Sequence, residues 1–79
     1  MRDTQPPITT PEEYYGYQRA RDILTALVAE REARLIAALH SGDNELIEDR
    51  RFELLNTLRK RQGIIDAIKA YERQQSQSA

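Results

Sequence analysis

The chain has no cysteine among its 79 residues, which excludes both a disulfide framework and a thiolate metal site. It has one histidine, and His40 is preceded one turn earlier by Ile36 and Ala37. No second ligand therefore stands at metal spacing, and a cation in the last turn of a helix already explains His40. Ser41 has no base beside it except adjacent His40, and neighbours in sequence rarely present nucleophile geometry. There is no Gly-rich phosphate loop. The carboxylates Asp43, Glu45, Glu48 and Asp49 suit the start of a helix better than a metal cage. No catalytic residue, no metal site and no cofactor is expected, and the chain reads as a non-enzyme.

No apolar run approaches the roughly 20 residues that span a bilayer. The opening Met1-Arg2-Asp3-Thr4-Gln5-Pro6-Pro7 lacks the apolar middle of a signal peptide. Neither sign of charge dominates: 12 basic against 13 acidic side chains leave −1. That balance argues against non-specific adhesion to nucleic acid or membrane. The expected location is the cytoplasm, or a particle assembled there.

What the chain does have is two long stretches with apolar residues at helical spacing, 11–40 and 44–73, separated by the turn-forming run His40-Ser41-Gly42-Asp43-Asn44. The economical fold is all-α, an antiparallel two-helix hairpin. The expected organisation is an extended N-terminal arm over 1–9, a hairpin over 10–73 and a polar tail over 74–79. Within the hairpin, helices over 10–40 and 44–73 flank a turn at 41–43. Pro6-Pro7 favours polyproline geometry in the arm. Thr10-Pro11-Glu12-Glu13 is a strong helix start, with a capping threonine, proline at the first position and a glutamate to complete a capping box. Gly42 supplies a left-handed stop and Asp43 a cap for the second helix.

On a wheel of 100° per residue, Tyr17, Ala20, Leu24, Leu27, Val28, Leu35, Ala38 and Leu39 form one stripe. Ile47, Leu54, Leu58, Ile65 and Ile68 form the other, with Leu55 on its flank. These stripes are expected to face each other. Arg31 and Arg61 fall inside them, with Glu53 and Asp22 as expected partners. Gly63, in mid-helix, is a tolerated defect, a kink or a close approach by another helix.

Three apolar features exceed what a lone hairpin covers. Ala26, Ala29, Ala33, Ile36 and Ala37 lie opposite the first stripe. Phe52 points away from the second, and Leu46, Ile64 and Tyr71 form a side ridge. Self-association into a helical bundle, or docking on another protein, follows as the expectation.

Tyr14 and Tyr15 add amphipathic aromatics at the open end, a residue type favoured at interfaces. Between 50 and 61 the charge is basic, with Arg50, Arg51, Arg59, Lys60 and Arg61 against Glu53, following the acidic run 43–49. Such a dipolar helix can pair antiparallel with a copy of itself or seat on an acidic surface. The rival reading is a small nucleic-acid-binding regulator using that basic segment. The candidate partner-binding residues are Tyr14, Tyr15, Ile36, Arg50, Arg51, Phe52, Arg59 and Lys60. In outline the chain is similar to many small bacterial export chaperones and phage assembly or virion proteins. That similarity of form implies an adaptor, chaperone or structural component of an assembly.

Overall fold

In a computed structural model, which describes residues 4–77, the chain is two long helices packed side by side in a rod of 55 × 21 × 15 Å. Helix α1 spans Pro11–Ser41 and α2 spans Asn44–Gln77. The start of α1 follows its local chemistry. Thr10 accepts from the Glu13 backbone N–H, and the Glu13 carboxylate accepts in return from the Thr10 N–H, so the capping box is closed. Gly42, at φ 73°, ends α1 in the left-handed region. Ser41 Oγ donates to the Ala38 carbonyl and accepts from the Asp43 N–H, while Asp43 caps α2 through the Leu46 N–H.

Helix α2 runs on to Gln77, four residues beyond the expected end at Arg73. Glutamine is a good helix former and nothing in Gln74-Gln75-Ser76-Gln77 breaks a helix. The expected polar tail is thus helical as far as it is described. Ser78 and Ala79, like residues 1–3 of the expected arm, lie outside the described residues.

The interior is a heptad seam. On α1 the positions Tyr14, Tyr17, Arg21, Leu24, Val28, Arg31, Leu35 and Ala38 are all buried or half-buried. On α2 the same holds for Ile47, Arg50, Leu54, Thr57, Arg61, Ile64, Ile68 and Tyr71. Both series advance by alternating steps of three and four, the period at which a supercoiled pair keeps one edge of each helix facing the other. Matched distances from the turn pair them in layers, Tyr14 with Tyr71 at the open end through to Ala38 with Ile47 at the turn. The Tyr14 and Tyr71 rings lie 5.0 Å apart, and Tyr14 Oη donates to Glu72 at 2.6 Å.

Several face assignments change accordingly. Leu58, expected in the core, is 41% exposed, while neighbouring Thr57 is 1% exposed. Leu39 and Leu55 are likewise exposed, and Ile64 and Tyr71 belong to the seam rather than to a side ridge. A straight-helix wheel drifts by about 20° per heptad against a 3.5-residue seam. Over helices this long, the drift carries the calculated stripe from Ile47 and Leu54 onto Leu58.

The seam arginines also find other partners than expected. Arg31 donates to Thr57 Oγ1 and the Glu53 carbonyl, and the Glu53 carboxylate pairs with Arg50 at 3.0 Å. Arg61 donates to Thr25 Oγ1 at 2.8 Å, and Asp22 pairs with Arg21 at 3.3 Å.

Residues 4–9 carry no helix and fold back on the open end of the hairpin. Ile8 is 3% exposed, and Tyr17 Oη donates to the Pro6 carbonyl at 2.8 Å. Thr4, Gln5 and Pro7 line a shallow recess with Gly63, Asp66, Ala67 and Ala70. Gly63 is buried and lines that recess beside the segment, where a second helix was one of the expected neighbours.

Candidate interaction surface

Large apolar side chains stand outward on both helices. On α1, Ile23 and Ile36 are exposed together with Ala26, Ala29, Ala33 and Ala37. On α2, Phe52 is 64% and Leu55 45% exposed. Both groups lie on the sides of their helices turned away from the seam. Leu39 and Leu58 occupy the flank where the helices meet. The seam gives five of its sixteen positions to arginine or threonine, while several further leucines and isoleucines and Phe52 face outward. Those outward side chains separate this hairpin from a pair of helices built only to bury its own apolar surface.

The eight candidate partner-binding residues do not form one patch. Tyr15 is exposed at the open end, 5.9 Å ring to ring from Tyr14. Tyr14 is half-buried in the end layer and already bonded to Glu72. Phe52 lies about 27 Å away along the rod, eighteen residues at 1.5 Å each. Ile36 is exposed on the back of α1. Arg50 is half-buried in the seam. Arg51 is exposed and paired with Glu48 one turn earlier at 3.2 Å. Lys60 is exposed, and Arg59 is half-buried with its Nε unpartnered among the described residues. The basic block therefore does not present one cationic face, because Arg50 and Arg61 point inward.

Sequence reasoning missed Leu55, Leu58, Leu39 and Ile23 as outward residues. The signal that finds them is the 3.5-residue spacing of the sixteen seam positions, which a straight wheel blurs.

Two electrostatic features are resolved. Glu13 is held below its usual 4.5 by the hydroxyl and N–H of Thr9, with further bonds from Thr10. Tyr14 is raised above 10.0 by the bond it donates to Glu72. Both serve helix ends. Among the described residues no cluster of His, Asp or Glu is arranged to hold a metal ion, and no helix is long and apolar enough to cross a membrane. Comparison with protein-family models, with curated proteins and with solved structures finds no match.

Proposed function

We propose that this chain is a non-enzymatic protein-interaction component, a helical hairpin that self-associates and acts as an adaptor, chaperone or structural piece of a bacterial or phage assembly. The observation that carries this reading is the outward placement of Phe52, Leu55, Ile23 and Ile36 on a rod whose own seam gives five of its sixteen positions to arginine or threonine. Such side chains gain from removal from water only through contact with other protein, at about 25 cal/mol per Å². The segment before α1 serves as an arm that clasps the open end and leaves the middle of the rod free for partners. Inward Arg50 and Arg61, and the Glu48 pairing of Arg51, weigh against a nucleic-acid-binding role for residues 50–61.

Light scattering across a protein concentration series tests the reading. The expected result is a mass above that of the 9.2 kDa chain, rising to a plateau. A monomer at every concentration overturns self-association. Binding to DNA or RNA that falls steeply with salt would replace this reading with the nucleic-acid one.

A further inference from the structure

The back of α2 carries a second heptad series, independent of the seam: Glu45, Glu48, Phe52, Leu55, Arg59 and Gln62. These positions follow steps of three and four, so they form one strip on the side of α2 turned away from α1. Read from its two ends, the strip is self-complementary. Placing a second copy antiparallel, with a two-fold axis between Phe52 and Leu55, sets Phe52 against Leu55 of the copy and Leu55 against Phe52. The next layer outward on each side is then Glu48 against Arg59, and the layer after it Glu45 against Gln62. Glu48 meets the opposite charge of Arg59, Glu45 meets the neutral amide of Gln62, and the two exposed apolar side chains meet each other at the centre. An isologous interface must have this property, since each patch has to fit itself after rotation.

We infer that this strip is the homodimer interface of the protein, with a second copy of α2 as its occupant. The inference rests on the self-association proposed above and adds which face, which register and which direction. Charge complementarity selects the copy: with the helices parallel and in register, Glu48 would face Glu48 and Arg59 would face Arg59. Exposure agrees. Phe52 is 64% and Leu55 45% exposed, and Arg59 Nε is buried without a partner among the described residues. Among the described residues Glu48 makes an exposed pairing with Arg51, which a second cation can share. Leu58, on the edge of the strip, extends the apolar centre towards the flank.

The test is charge reversal with complementation. Glu48→Arg and Arg59→Glu, made separately, each place two like-charged layers in the homodimer. The expected result is a dissociation constant raised about tenfold or more for each variant alone, with helicity unchanged by circular dichroism. Mixing the two variants restores opposite charges in both layers, so a heterodimer should form with near wild-type affinity. Variants that dimerise as tightly as the wild type, or a mixture that gains nothing, overturn the assignment. If the wild type is itself monomeric, the self-association reading fails first, and the two failures are thereby distinguished.

Because the chain has no cysteine, spin labels give a second measurement on an otherwise unaltered strip. A label on Asn56→Cys should report copies close together, about 8 Å apart along the axis. One on Lys69→Cys should report about 46 Å, from thirty-one residues at 1.5 Å. Copies close together at both positions would mean parallel pairing and would overturn the antiparallel register.

Discussion

Arg31 of α1 reaches across the hairpin to donate to Thr57 of α2, which is 1% exposed. Thr57 Oγ1 also donates to the Glu53 carbonyl at 2.9 Å, and Arg31 donates to that same carbonyl at 3.4 Å. A cation, a hydroxyl and a backbone oxygen thus close a layer where a coiled coil ordinarily places leucine. Arg31 Nε and Glu53 Oε2 are buried there without partners among the described residues. This layer fixes which residues face one another more than it adds stability, since desolvating a guanidinium offsets much of what its bonds return. Thr57→Val leaves Arg31 without its hydroxyl acceptor and should destabilise by about 1–2 kcal/mol. Arg31→Leu combined with Thr57→Val removes both halves and should recover that loss or exceed it. Urea unfolding of the three proteins decides, and a double variant weaker than the single one would show that the polar layer is net stabilising.

Leu54 and Leu58 are one turn apart on α2, yet only Leu54 lies in the seam. Leu54→Asp sets a carboxylate among packed side chains and should abolish most helicity. Leu58→Asp faces solvent over much of its surface and should cost about 1 kcal/mol, leaving the helical circular dichroism signal in place. Equal loss of structure in both would mean that the seam includes Leu58.

These two leucines also mark what the amino-acid order discloses and where it stops. Local signals are legible: Thr10 with Glu13, Gly42 with its left-handed backbone, and Asp43 as a cap each act within four residues. The existence of a hairpin follows from them. The inner face is less legible, because a small error in period grows along thirty residues and moves Leu58 inward and Thr57 outward. Charge pairing is less legible still. Glu53 lies near Arg31, but Arg50 is three residues away on the same helix and takes its carboxylate. Phe52 reads correctly as outward, because it lies far enough round α2 from the seam that the drift does not reach it.

Ile8 and Tyr17 hold the segment before α1 against the open end. Ile8→Ala should destabilise by about 2–3 kcal/mol, the lower end of the range for a buried isoleucine, since the surrounding segment can partly collapse. Tyr17→Phe removes the bond to the Pro6 carbonyl and should cost about 1 kcal/mol. Hydrogen exchange at residues 63–70 provides the localised readout. Faster exchange there in Ile8→Ala, with residues 44–55 unchanged, would place the effect at the clasp. Uniform acceleration would mean that Ile8 supports the whole hairpin.

The two perturbed groups predict opposite pH limits for the two helix ends that meet at the open end. Glu13 is lowered in the folded chain by the Thr9 hydroxyl first, then by the Thr9 and Thr10 N–H groups and the Thr10 hydroxyl. Its contribution is therefore present above 4.5 and lost as pH falls through the lowered folded value. Tyr14 is raised by its bond to Glu72, so its contribution is present below 10.0 and lost as pH rises through the raised folded value. Amide exchange at residues 12–14 should quicken on acidification, and Glu13→Gln should remove that pH dependence. At the alkaline limit, phenolate absorbance should show Tyr14 ionising above 10.0, and Glu72→Ala should bring its ionisation down. If the raised ionisation persists in Glu72→Ala, the bond between the helix ends is not what holds its proton.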